Sequence, residues 1–207
     1  DVDISDSKTA IFGGGDQVLN NVGIDTVTVN DGPVGANDGA LINAFTADVE
    51  FDVVDTADAI AAEVTGSNGA GDLDEANTVV VSGGDVTASE ADAIQSISGY
   101  DGKASDYDIT DTAAALISAG DSVLDVNGVD VVTASDSSVN ANIGGDLAGF
   151  TADIEFDVVD TADAIAAEVA SSGFGSGGLD EADTVVVSGG NVDVSEADAI
   201  QSISGYD

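Results

Sequence analysis

The stretch FDVVDTADAIAAEV at residues 51–64 returns unchanged at 156–169, and no other feature limits so strongly what this chain can fold into. Around it, AFTADVEFDVVDTADAIAAEV at 44–64 becomes GFTADIEFDVVDTADAIAAEV at 149–169, and EADAIQSISGYD at 90–101 returns at 196–207. The opening residues 1–31 align without a gap on 106–136, pairing Asp6 with Asp111, Asp16 with Asp121, Gly23 with Gly128 and Asp31 with Asp136. The offset is 105 residues as far as Val64 and 106 beyond it, because the second copy carries one extra residue in SSGFGSGG. The chain therefore reads as a tandem: a first repeat at 1–101, a linker at 102–105 and a second repeat at 106–207.

A finer period runs inside each copy. Strand-like runs fall at Val2–Ser5, Ile24–Asn30, Val49–Val54 and Thr78–Ser82, then at Tyr107–Thr110, Val129–Thr133, Ile154–Val159 and Thr184–Ser188. Their spacing of roughly 22 to 29 residues is that of solenoids and other repeat arrays. Most lead into a helix signal. Asp55 is placed to cap a helix whose Ala57, Ile60, Ala61 and Val64 share one face, and Asp58 lies in its first turn. Asp111 and Asp160 take the same place before their helices, and Ser89 precedes one carrying Ala93, Ile94 and Ile97. Helices this short are marginal alone and need packing to persist.

The strands alternate. In DVEFDVV, Val49, Phe51 and Val53 point one way and Asp48, Glu50 and Asp52 the other, with the same pattern at Asp106 and Asp108 against Tyr107 and Ile109. A sheet covered on both faces would read as continuous apolar runs. Here one face is apolar and the other acidic, although the TVVVS strands are more evenly apolar. The pattern predicts an α/β fold, a repetitive β/α solenoid of about eight short strand–helix turns. Two tandem α+β domains are the alternative.

Charge limits the partners. With 41 acidic residues against two lysines and no arginine, the formal net charge is −39, which leaves no basic patch for nucleic acid or an anionic membrane. No apolar run approaches the roughly 18–20 residues of a membrane span, so membrane insertion is not expected. The hydrophobic share of 43% is that of a folded chain rather than a disordered one. Cysteine and histidine are absent, which removes disulfides, thiolate or imidazole metal sites and histidine-based catalysis. The first residue is Asp1, with no signal peptide ahead of it, as in a mature or excised segment.

Carboxylates are thus the chemistry this chain has to offer. The 33 Asp outnumber the 8 Glu, a bias that suits short loops, caps and Ca²⁺ coordination by compact oxygen ligands. The sharpest local candidate is DVNGVD, where Asp125, Asn127 and Asp130 are spaced around Gly128 like part of a Ca²⁺ loop, without the closing Glu of an EF-hand. The first copy has Asn20, Val22 and Asp25 there, so the ligand set is not repeated. A second candidate is the set of acidic turns kept in both copies: Asp16 and Asp121, Asp31 and Asp136, and Asp74-Glu75 with Asp180-Glu181. The third is the strand-face ladder of Asp48, Glu50 and Asp52 and of Asp153, Glu155 and Asp157. Strands lie about 4.8 Å apart, so stacked carboxylates there would need bridging Ca²⁺ or screening salt. The plainer reading of all three is a solvated acidic face in a salty medium. A carboxylate-pair glycosidase is the enzymatic alternative. It is disfavoured because the acids follow the repeat instead of converging, in a chain without Trp, Arg or His. Lys8 aligns with Ala113, and Lys103 has no counterpart, so both read as surface lysines.

YDITDTAAALISAG at 107–120, with its relative FDVVDTADAIAAEV, resembles the Y-x-(I/L)-x-D-T-A-A-x-L repeat of very large secreted bacterial surface proteins, RTX-type and adhesin-like, from marine and aquatic organisms. The resemblance implies an extracellular, array-forming structural protein in Ca²⁺-containing surroundings. The nonapeptide GGxGxDxUx of the β-roll is absent, so that Ca²⁺ site is not carried over. The expectation is a structural repeat, not an enzyme, associating head-to-tail with itself in a filament, sheath, coat or adhesin stalk. A Ca²⁺-dependent adhesion module for surface glycans or proteins is the second expectation.

Overall fold

A computed structural model describes residues 2–66, 73–98, 106–172 and 178–204. The linker expected at 102–105, with Lys103, and most of the SSGFGSGG insertion lie outside the described residues. The chain divides into two compact units, Asp1–Tyr107 and Asp108–Asp207.

The first unit runs β1 (Val2–Asp6), α1 (Lys8–Gly14), α2 (Asp16–Leu19), β2 (Ile24–Val29), α3 (Ala36–Asn43), β3 (Val49–Glu50), β4 (Asp52–Asp55), α4 (Ala57–Thr65), β5 (Thr78–Val81) and α5 (Ala88–Gln95). The second follows as β6 (Tyr107–Asp111), α6 (Ala113–Ala119), α7 (Asp121–Leu124), β7 (Val129–Ala134), α8 (Ala141–Leu147), β8 (Ile154–Glu155), β9 (Asp157–Asp160), α9 (Ala162–Ser172), β10 (Thr184–Val187) and α10 (Val194–Gln201). The fold is mixed α/β with small parallel sheets, ordered β1-β2-β3 and β4-β5 in the first unit and β6-β7-β8 and β9-β10 in the second. No helix among the described residues is long and apolar enough to cross a membrane.

The run expected at Val49–Val54 is split at Phe51, and its counterpart at Phe156. The reason is a change of neighbour. Val49 and Glu50 pair with β2, whereas β4 takes Val34 as a bridge partner, with Val34 N–H on Asp52 O at 2.8 Å. The alternation survives the split. Val49, Phe51 and Val53 are buried while Asp48, Glu50 and Asp52 face solvent; Ile154, Phe156 and Val158 repeat the buried set.

The helix starts correct the sequence reading by one residue. Thr56, Thr112 and Thr161, not Asp55, Asp111 and Asp160, are the capping side chains. Their hydroxyls accept from the N–H of Ala59, Ala115 and Ala164, each at 3.3 Å. In the D-T-A sequence the Asp sits one place too early to reach the third helical N–H. Likewise Thr87, not Ser89, caps α5, in a capping box with Glu90; Asp193 and Glu196 form the equivalent box on α10.

Helices α3 and α8 had no signal in the sequence because glycine interrupts them. A Cβ on Gly39 would stand 3.0 Å from Val53 Cγ2 and 3.2 Å from Phe51 Cε2; on Gly144 it would stand 2.8 Å from Val158 Cγ2. Glycine costs about 1 kcal/mol of helix propensity. Here it lets each helix lie directly on the Phe-Val face of its strand.

Candidate functional site

Carboxylates dominate the surface, and many are engaged with backbone N–H groups far away in sequence. Asp55 Oδ1 accepts from Thr56 N–H at 2.9 Å, and Oδ2 accepts from Ala36 N–H at 2.9 Å. One side chain thus ties together the starts of α3 and α4. Asp160 does the same for Thr161 at 2.7 Å and Ala141 at 3.0 Å. Between β1 and β2 the task is divided. Asp6 takes Ser7 N–H at 2.7 Å and Asp31 takes Lys8 N–H at 2.9 Å, repeated by Asp111 on Thr112 and Asp136 on Ala113.

The acidic turns kept in both copies belong to the same scheme. Asp16 accepts from both Thr46 N–H (2.8 Å) and its hydroxyl (3.2 Å), and Asp121 does so from Thr151 at the same distances. Asp74 accepts from Ser98 N–H at 2.8 Å and Asp180 from Ser204 N–H at 2.7 Å. These carboxylates latch segments 19 to 31 residues apart. A charge-assisted bond to a backbone N–H is among the stronger protein hydrogen bonds. Their spacing is set by backbone N–H groups rather than by a common centre.

On the strand face the acids alternate with threonine across the sheet. The register aligns Ser5, Thr28 and Glu50 in one row and Asp52 with Thr78 in another. Thr28 donates to Glu50 at 3.2 Å and Thr78 to Asp52 at 2.7 Å; Thr133 with Glu155 and Thr184 with Asp157 repeat both contacts. In these rows carboxylates therefore neighbour hydroxyls across strands.

The second unit departs from this pattern in one place. Asp183 stands where the first has Asn77, and both backbones make the same bond, Asp183 N–H to Phe156 O and Asn77 N–H to Phe51 O. Asp183 is exposed, yet partial desolvation pushes its carboxyl up from the ordinary range, and the charges of Glu155, Asp157 and Asp153 push it further. Three of the expected strand-face acids thus act on a fourth that the strand pattern did not include. The signal was the mismatch at the offset of 106, Asn77 against Asp183.

A second paired site also went unread. In the first unit a hydrogen bond to Glu90, and the charge of Glu90, raise Asp58. Burial pushes Glu90 up, but the hydroxyl and N–H of Thr87, with Thr87 N–H at 2.7 Å, hold it below its ordinary value. In the second unit the N–H of Asp193 lowers Glu196, and a hydrogen bond to Asp163, burial and the nearby charges of Asp193 and Asp163 outweigh it. A cavity of about 330 Å³ opens over Asp163 and Glu196 beside the Ser188–Gly190 turn. Each unit thus carries an acidic pair, Asp58 with Glu90 and Asp163 with Glu196, across two packed helices.

DVNGVD makes the turn into β7 and its first two residues. Asp125 ends α7, Asn127 is exposed, and Asp130 is exposed on the strand. Gly128 has φ 103°, the conformation glycine is needed for, and Gly23 in the first copy has φ 102°. The turn is common to both units; the ligand set is not. Among the described residues, no three or more acidic side chains are grouped so as to hold a metal ion. Lys8 forms an ion pair with Asp38 at 2.6 Å, and the hydrogen bond and charge of Asp38 raise its pKa, so it stays an ammonium.

The class defined by these features is an internally duplicated, acidic α/β protein with carboxylate latches. No family model, curated protein or solved structure matches the chain.

Proposed function

We propose that the chain is a structural repeat segment of an extracellular bacterial surface assembly: a filament, sheath, S-layer-like coat or adhesin stalk. It associates head-to-tail with further copies and is stabilised by Ca²⁺ or high salt. The observation that carries this is the recurrence of the latches. Asp16, Asp31, Asp55 and Asp74 hold the same backbone groups as Asp121, Asp136, Asp160 and Asp180. Side chains committed to the backbone at every step serve construction, and this supports a non-enzymatic role. Sequential parallel strands with intervening helices support the β/α solenoid over two tandem α+β domains. The D-T-A-A-x-L resemblance to large secreted surface proteins supports the location. Immunogold labelling of intact cells that make the protein is the test. Label confined to the cell interior would end this reading.

A second reading, a Ca²⁺-dependent adhesion module, is favoured by the charges of Glu155, Asp157 and Asp153 that act on Asp183. A cation is the simplest relief for that crowding. Ligand capture that needs Ca²⁺ and is lost in EDTA would select it.

A further inference from the structure

We propose that Asn127 is a site of spontaneous backbone modification, where the side-chain amide is converted through a cyclic imide to aspartate and isoaspartate. The inference stands apart from the assembly reading above. Asparagine is a chemically labile residue, and most so where its neighbour leaves the next backbone nitrogen open. Among the described residues, Asn127 is the asparagine that precedes a glycine; the other Asn-Gly pair, Asn68-Gly69, lies outside them. Asn127 is exposed in the turn between α7 and β7. Neither its side-chain amide nor the Gly128 N–H makes a hydrogen bond with the described residues. Gly128 brings no Cβ to shield its nitrogen, and its φ of 103° is what keeps a glycine there. Asn77 and Asn191 are exposed too, but Thr78 and Val192 follow them, and a β-branched side chain crowds the attacking nitrogen. Asp31 and Asp38 also precede glycines, but their carboxylates are engaged, by the Lys8 N–H and the Lys8 ammonium.

The step balances without an oxidant or reductant. The Gly128 nitrogen gives its proton to water or hydroxide and attacks Asn127 Cγ. The new N–Cγ bond forms as the Cγ–Nδ2 bond breaks, and ammonia leaves with a proton returned from solvent. Water then opens the imide. Opening at Cγ leaves aspartate in a normal main chain; opening at the main-chain carbonyl routes the chain through Cβ and Cγ as isoaspartate. That route adds a methylene inside the turn closed by Val129 N–H on Val126 O at 3.0 Å, the turn that feeds β7. The first repeat has the same turn, with Ile24 N–H on Asn21 O at 3.1 Å and Gly23 at φ 102°. Val22, fully exposed, stands there in the place of Asn127 and offers no carbonyl to attack. The chain therefore ages at one turn and not at its counterpart.

Mass-spectrometric peptide mapping of the full chain, held for days at mildly alkaline pH, tests this. The expected result is conversion of Asn127 about tenfold or more faster than Asn77 or Asn191, accelerating with pH, with the isoaspartate detected by isoaspartyl methyltransferase labelling. Asn127→Val, which copies the first repeat, abolishes the product, and Val22→Asn creates a second site of similar rate. Both positions are exposed, so neither variant disturbs the core. The synthetic peptide DVNGVD converts alongside as the chemical reference. A folded chain whose Asn127 stays an amide while that peptide converts overturns the site, because the turn then protects it. Conversion of Asn77 and Asn191 as fast as Asn127, or no new product from Val22→Asn, overturns the selectivity given to this turn.

Discussion

Asp55 and Ala36 lie 19 residues apart, and the Asp55 carboxylate accepts the Ala36 N–H at 2.9 Å while its other oxygen holds Thr56. Helix α3 has Gly35 as its N-cap residue, which supplies no side-chain cap. Asp55 supplies that acceptor from the neighbouring strand end. Replacing Asp55 with Ala leaves two helix-start N–H groups to water and is expected to cost about 1–3 kcal/mol. Asp55→Asn keeps one acceptor oxygen and loses less. Asp160→Ala should cost a similar amount, measured by urea unfolding. A loss below a few tenths in both would deny the latches their structural part.

Gly39→Ala and Gly144→Ala run against helix propensity. In an exposed helix each would stabilise by about 1 kcal/mol. Here the added methyl meets Val53 and Phe51, or Val158 and Phe156, at 2.8–3.3 Å. Overpacking of this kind costs about 1–3 kcal/mol, so both variants should melt earlier than the parent. A rise in melting temperature would place these helices further from the strands than described.

These two cases mark what the sequence could and could not reveal. The in-out alternation of DVEFDVV was legible because a strand's period of two is local, and the buried Val49, Phe51 and Val53 follow it. The helix at 36–43 was hidden because Gly39 answers to Phe51 and Val53, residues outside its own segment. The acidic turns were visible as repeated positions, but their partners were not. Thr46 lies 30 residues from Asp16 and Ser98 lies 24 from Asp74, separations that no local spacing encodes. Asp55 was misread as a cap for the converse reason, since Thr56 beside it does that work.

Asp183 gives a pH dependence with a definite sign. Its folded-state pKa is raised, so its ionisation opposes folding; the stabilising state is the protonated one, lost as pH climbs through the carboxylate range. Asp183→Asn, which copies Asn77, should therefore raise the melting temperature slightly at pH 7 in low salt, the carboxyl being exposed and its repulsion largely screened. The gain should fade below about pH 4, where Asp is protonated in both states. Asp58, raised by Glu90, follows the same rule, and Asp58→Asn should stabilise at neutral pH and not in acid. Thermal melts across pH check both.

Metal dependence separates binding from screening. At fixed high ionic strength, millimolar Ca²⁺ is expected to raise the melting temperature relative to EDTA, as for a ligand that binds only the folded chain. Asp183→Asn should reduce that increment by removing a carboxyl that the charges of Glu155, Asp157 and Asp153 act on. Equal melting in Ca²⁺ and EDTA would assign the stabilisation to salt alone.

The central claim is that the repeat is a building unit that continues from one copy into the next. Electron microscopy of the purified chain in about 1 M salt with Ca²⁺, where repulsion is screened to ~3 Å, addresses it directly. The expected image is of filaments with end-to-end subunit contacts, lengthening with protein concentration. A uniformly monodisperse particle without longitudinal contacts, at every concentration tried, would contradict it.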